Sequence, residues 1–119
     1  MTISAPRLIR PPAILGRVGT IAVTHWGLVD GLHGLSLVVE VVDVDGPGVL
    51  QQGAWRLSGI DTVSVTATSD AGELVRPSYG AASARRWQRW TMAFGRSDLR
   101  DLTITVPPIT FTHTLTMGE

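Results

Sequence analysis

The residues best suited to bind a partner lie in one short segment, residues 85–90, RRWQRW. Indole rings and guanidinium groups stack on one another and on the rings or side chains of a partner. If this segment is a strand with its second Trp facing a core, Trp87 and Arg89 face the opposite way. We therefore predict a partner-binding surface made of Tyr79, Arg86, Trp87 and Arg89. The alternative is that Trp87 packs against the segment around Tyr79, with the Arg side chains covering apolar surface.

Three histidines are the other candidates for chemistry, but they do not form a recognisable motif. His25 and His33 flank a glycine-rich turn, and His113 lies far away in an apolar segment. A zinc site needs a complete ligand set at suitable spacing, and the chain has no Cys to supply thiolates. We predict no metal site, no cofactor and no catalytic residue. A small hydrolase is the weakest candidate function, since it requires one of these histidines beside a Ser or Thr and an acid.

The charge balance limits the classes of partner. The chain has 119 residues, ten basic and ten acidic, and a formal net charge of zero. Binding to nucleic acid or to an acidic membrane depends on summed positive potential, so we expect neither. A neutral chain also lacks the repulsion that keeps copies apart, which favours self-association. The N-terminal segment has no apolar core of signal-peptide length, and we expect a cytoplasmic protein.

The elements that position these residues are predicted to be strands. Residues 35–44, LSLVVEVVDV, form the longest apolar run, and their β-branched side chains favour a buried central strand. Residues 61–68 alternate between apolar and polar side chains, as expected for a strand with one buried face. The pattern predicts seven to nine short strands and no helix. We expect an all-β, immunoglobulin-like antiparallel β-sandwich, with a small β-barrel as the alternative.

The alternation also predicts the core and the domain limits. Residues 1–18 are irregular and contain Pro11-Pro12, so we expect an N-terminal arm with a short strand at Leu8-Ile9. Residues 19–119 are expected to form the single sandwich domain. The small residues of 77–84 predict a loop. The predicted core includes eight apolar residues: Val39, Val41, Val63, Val65, Trp90, Phe94, Leu102 and Ile104.

The last strand, Ile109 to Met117, alternates more regularly than any other segment, with Thr at every second position. Charged residues and internal prolines usually protect a solvent-exposed strand from pairing with another chain, and this strand contains neither. We predict that this strand mediates association between copies of the chain. The alternative is an ordinary strand that only closes its own sheet.

A family resemblance covers about two-thirds of the chain. Residues 61–106 contain a Val/Thr strand, the turn Asp70-Ala71-Gly72, a small-residue segment around Tyr79, and then Trp90…Phe94. Residues 26–37 carry the matching Trp, Asp-Gly and Leu-Ser-Leu. In this order of features the chain resembles uncharacterised immunoglobulin-like domains from GC-rich bacteria. The resemblance implies a β-sandwich and no particular activity.

These observations lead to two functional hypotheses from different classes. The first is a non-enzymatic interaction or structural subunit that binds a protein partner or a second copy of itself, in a homo-oligomer or as part of a larger protein assembly. The second is a small-ligand or carbohydrate-binding module that uses Trp55 or Trp87 as a stacking platform.

Overall fold

The computed structural model describes residues 6–44, 48–51, 54–57, 63–84, 86–107 and 110–116. Strands account for most of these residues, and no helix occurs among them. Twelve strands are defined: β1 (Arg7–Arg10), β2 (Ala13–Val18), β3 (Ile21–Gly31), β4 (Gly34–Asp43), β5 (Gly48–Gln51), β6 (Ala54–Leu57), β7 (Ser64–Ser69), β8 (Leu74–Val75), β9 (Ser78–Ala84), β10 (Trp87–Ala93), β11 (Leu99–Val106) and β12 (Phe111–Thr116).

The strands form two antiparallel sheets that face each other, which confirms the predicted β-sandwich. The first sheet has the order β1-β3-β4-β10-β9, and β2 continues along the edge of β3 that β1 also pairs with. The second sheet has the order β12-β11-β7-β8. Strands β5 and β6 form a separate hairpin, and β6 lies beside β9 and β10. The predicted central strand, residues 35–44, is β4, which pairs with β3 on one side and β10 on the other.

The core between the sheets contains all eight predicted residues, each no more than 7% exposed. It extends along the whole sandwich because each sheet presents one apolar face. Strand β4 shows the cause most clearly: its side chains alternate strictly between buried and partly exposed positions. Burying such a face is the main stabilising contribution in a domain of this size. The prediction, made from the alternation, that these eight side chains face the core is therefore confirmed.

The N-terminal arm contributes strands to the first sheet. Leu8 and Ile9 lie in β1, as predicted, while Pro11-Pro12 separate β1 from β2 along the edge of β3. The arm also contacts the last strand at Gly16. The Phe111 ring lies so close to Gly16 that an added Cβ there would be only 2.6 Å from the ring. The division of the chain into an arm and a domain at residue 18 remains a prediction.

One segment prediction is wrong. Residues 77–84 were expected to form a loop, but Ser78–Ala84 form strand β9, which pairs in register with the whole of β10. Gly, Ala and Ser have weak strand propensity, so the segment itself gives little signal. Backbone hydrogen bonding to β10 supplies the stability instead. With β2 and β5, this strand raises the number of strands above the expected seven to nine.

In the part of the chain that the structure describes, there is no helix long and apolar enough to cross a membrane.

Candidate interaction surface

The outer face of the first sheet carries a compact cluster of aromatic and charged side chains. The guanidinium carbon of Arg89 lies 3.9 Å from the centre of the Trp26 ring and 4.4 Å from that of the Trp87 ring. Both distances are well within the range of cation–π attraction. One cation therefore contacts two indole rings that come from different strands, β3 and β10. We call Trp26, Glu40, Trp87 and Arg89 the Trp–Arg cluster.

Glu40 holds the Arg89 side chain in place from the neighbouring strand. The Nε and Nη2 groups of Arg89 both donate to Oε2 of Glu40, at 3.2 and 3.0 Å. The two residues are directly opposite each other in the β4–β10 ladder, so their side chains start close together and can form the ion pair. Only 16% of the Glu40 side chain and 29% of the Arg89 side chain are exposed. A partly buried, two-point ion pair of this kind orients a guanidinium more firmly than an exposed one does.

A β-bulge positions Trp26. Residues Trp26 and Gly27 together lie opposite the single residue Val38, since His25 pairs with Val39 and Leu28 with Leu37. Gly27 has a φ of 115°, which favours glycine. Its N–H donates to Nδ1 of His25 at 3.0 Å. Bulges redirect side chains beside functional sites, and this one leaves the Trp26 side chain half exposed.

The structure brings together only part of the predicted binding surface. Trp87 and Arg89 lie on the outer face, as the alternation predicts, and both are partly exposed. Arg86 is exposed in the turn before β10, and its carbonyl accepts a hydrogen bond from the N–H of Asp43. Tyr79 does not join them. It pairs with Met92, whose side chain is fully buried, so Tyr79 lies on the inner side of the sheet.

Tyr79 joins the two sheets instead. Its hydroxyl accepts a hydrogen bond from the N–H of Val65 and donates one to the Val65 carbonyl, at 3.0 and 3.2 Å. Strand β8 is too short to pair with this part of β7, so the hydroxyl satisfies backbone groups that lack a strand partner. Tyr79 therefore closes one side of the sandwich.

Two members of the cluster were not predicted as site residues. Trp26 shares the outward face of β3 with Ala22 and Thr24. The pattern therefore predicts that Trp26 is exposed, but it does not predict the contact with Arg89. Glu40 was visible as a charged residue amid the apolar run of β4, which also ends in Asp43. A charge there requires a partner or solvent, but nothing in the local sequence identifies Arg89 as that partner.

A shallow, open depression borders the cluster. It has a volume of about 410 Å³ and is lined by residues of β2 and β3 and by the proline before β2. Trp26 forms part of its wall, together with Ile14, which is 76% exposed. Trp26 thus offers an accessible ring beside the depression.

The three histidines all lie within the described residues, and the structure does not gather them into a set of metal ligands. No group of three His, Cys, Asp or Glu side chains suited to a metal lies within the described residues. His25 is buried and points inward, and His33 is exposed in the turn between β3 and β4. Burial lowers the pKa of His25, and the positive charges of the nearby His113 and Arg10 lower it further.

The hydrogen bond that His25 accepts within the bulge leads us to predict that the stability of the fold depends on pH. His25 accepts through Nδ1, so the folded protein keeps it neutral, whereas in the unfolded chain its pKa is about 6.5. As the pH falls below that value, the unfolded chain takes up a proton that the folded protein resists, and the free energy of unfolding decreases. We expect urea midpoints to fall from pH 7.5 to 5.5, and to fall less for His25→Asn, whose amide oxygen can still accept from Gly27. Equal slopes for both proteins would contradict this role of His25.

Comparison with known protein families, with characterised proteins and with solved structures finds no match for this chain.

Proposed function

We propose that this domain is a non-enzymatic interaction subunit that binds a protein partner with the outer face of its first sheet. The observation that supports this proposal is the Trp26–Arg89–Trp87 stack on an open sheet face. Trp and Arg are the residues that most often anchor protein interfaces. The proposal includes a cytoplasmic location and assembly into an oligomer, and it needs no cofactor, metal or catalytic residue.

The cluster is preorganised for binding. Arg89 is fixed by Glu40 and by two indole rings, so little side-chain entropy remains to be lost when a partner docks. Nε and Nη2 donate to Glu40, whereas Nη1 has no acceptor among the described residues. That group is available to a carbonyl or carboxylate of the partner.

The surroundings of the cluster favour a protein surface over nucleic acid. Glu40 neutralises Arg89, so the cluster has little positive potential to attract phosphates. On the same face, Val38 and Val42 are partly exposed, and the Thr91 and Ala93 side chains are exposed and small. An area of apolar and small side chains around a Trp–Arg anchor resembles the core of a protein interface more than a groove for a charged polymer.

A carbohydrate-binding module is the second candidate, and one observation favours it. Trp26 is 48% exposed beside the depression lined by Ile14 and Pro12, and an exposed indole face is a suitable platform for a sugar ring. Trp26 replaces the platforms expected from the sequence: both Trp26 and Trp87 stack on Arg89, but Trp26 is the more exposed of the two, and the side chain of Trp55 lies outside the described residues.

The test is the affinity of the Trp26→Ala variant for the partner. A tagged wild-type domain first isolates a partner at fixed stoichiometry, and that partner is then purified and titrated. We expect Trp26→Ala to weaken binding by about 2 kcal/mol, roughly 30-fold, because an interface anchor is removed. The melting temperature should change little, since the side chain is half exposed.

Leu74→Ala is the matched control, because Leu74 is 63% exposed on the second sheet and its loss should leave the affinity unchanged. Full affinity of Trp26→Ala would overturn the protein-partner proposal. Binding of a glycan array by the wild type, lost in Trp26→Ala, would establish the carbohydrate candidate instead.

A further inference from the structure

The outer strands of a sandwich are potential sites of association, because their backbone groups lack a partner on one side. The two sheets end in four such edges: β1 with β2, and β9, in the first sheet, and β12 and β8 in the second. These edges differ in how they are protected against pairing with another chain, and the differences identify one of them as a site of association.

Three edges carry features that hinder pairing with another chain. The β1–β2 edge has Arg7, Arg10 and Arg17, and Pro11-Pro12 interrupt its strand. Strand β8 has two residues and is followed by Arg76-Pro77. Strand β9 has β6 beside it. Charges, prolines and short length are the usual protections of edge strands.

Strand β12 carries none of these protections in its own sequence, although Arg10 reaches its outer edge at the Thr116 carbonyl. Residues 111–116, FTHTLT, contain no proline and no Lys, Arg, Asp or Glu. Thr112, Thr114 and Thr116 are exposed, whereas the alternate side chains are partly or fully buried. The strand pairs with β11 along its full length, so it is held straight and extended.

Two contacts show which backbone groups of β12 face outward. Val65 directs its N–H and carbonyl to Tyr79, away from β11; Ile104, its partner in β11, therefore bonds on the other side, to His113. Hydrogen-bonded and non-bonded pairs alternate in an antiparallel ladder. The backbone groups of Thr112, Thr114 and Thr116 must then face outward. Arg10 donates to the Thr116 carbonyl from outside the ladder, which agrees with this assignment.

We propose that β12 pairs antiparallel with β12 of a second copy, about a twofold axis at Thr114. In this register Thr114 lies opposite its counterpart, and Thr112 lies opposite Thr116. Each outward N–H and carbonyl meets its complement, and Thr–Thr pairs across strands are favourable. The Thr116 carbonyl can accept a second bond beside the one from Arg10. The two four-stranded sheets become one continuous sheet of eight strands.

The strand and the whole chain both favour a second copy as the occupant. The same register that joins the backbone groups places Thr opposite Thr on one face and His113 opposite Leu115 on the other. No like charges meet, since the strand has no fixed charge, and the chain as a whole has a net charge of zero. This pairing uses a different surface from the Trp–Arg cluster and does not depend on it.

The decisive variant is Thr114→Pro, measured by sedimentation from low micromolar to several hundred micromolar. Proline removes only the outward N–H of Thr114, so the ladder with β11 stays intact while the bond across the twofold axis is lost. We expect a wild-type dimer of the 12.7-kDa chain and a monomeric, folded Thr114→Pro. Thr114→Lys, which sets two like charges opposite each other, should also be monomeric and serves if the proline variant does not fold.

Two control variants separate this proposal from the proposed function. Thr66→Lys places the same change on the outer face of β7, inside the second sheet, and should dimerise like the wild type. Trp26→Ala should also dimerise fully. A wild type that stays monomeric at the highest concentration, or a Thr114→Lys variant that still dimerises, overturns the β12 pairing. A monomeric Trp26→Ala does so as well, because it shows that the outer face of the first sheet joins the copies.

Discussion

We expect Val65→Asp to abolish cooperative folding. Val65 is fully buried in the middle of β7, opposite Ile104 in the neighbouring strand. A carboxylate at this position has no cation to pair with among the described core residues, so the folded state carries the cost of an isolated buried charge or of a forced protonation. Together with the lost apolar contacts, the cost is about 5 kcal/mol or more, which is comparable with the whole stability of a typical domain. Circular dichroism during heating should show no cooperative transition.

Thr66→Asp is the matched control for this result. Thr66 is the next residue along β7, and its side chain lies on the outer face, opposite Thr103. The same carboxylate remains solvated there, and we expect a cooperative melt close to that of the wild type. If Val65→Asp melts like Thr66→Asp, the inner and outer faces of β7 have been assigned the wrong way round.

Gly34→Ala should be the most damaging single-methyl change in the described part of the chain. Gly34 has a φ of 94°, and a Cβ there would lie 2.3 Å from the backbone nitrogen of Arg96. Backbone atoms cannot move aside as a flexible side chain can, particularly since Leu35 donates to the Arg96 carbonyl. We expect a loss of about 3 kcal/mol or more, and a fall in melting temperature of roughly 10 °C.

Gly31→Ala provides the comparison, because Gly31 pairs with Gly34 at the end of the same hairpin. Its φ lies outside the left-handed region, and no atom lies within 4 Å of its added Cβ. The expected change is within about 0.5 kcal/mol, as for other surface substitutions. A similar loss for both variants would mean that hairpin flexibility, and not the contact with Arg96, determines the cost.

The two proposed surfaces would give the domain distinct attachment points. The Trp–Arg cluster lies on the outer face of the first sheet, and the β12 edge belongs to the second sheet. A dimer joined through β12 would display two copies of the cluster, so a multivalent partner would bind with an effective affinity above that of one domain. Thr114→Pro should then weaken binding to a multivalent partner while leaving binding to a monovalent one unchanged.

The sequence by itself determined the fold class and the inner faces of the strands. Alternation has a period of two, and a one-residue slip would turn every apolar side chain outward. Val65, Trp90 and Ile104 could therefore be placed in the core without knowing which strands are neighbours. The same rule placed Trp87 and Arg89 on an outward face. Strand β9 escaped this rule because its small residues carry no alternating pattern.

Only the tertiary structure decided which outward residues meet. Trp26, Glu40 and Arg89 come from β3, β4 and β10, and their contact depends on strand order, on register and on the bulge at Gly27. Tyr79 belongs to the opposite face because its pairing with Met92 sets its direction. Likewise, the regular pattern of residues 111–116 indicates a strand, but its place at an edge follows from the sheet order. Such pairings join residues distant in sequence, so no local pattern of side chains encodes them.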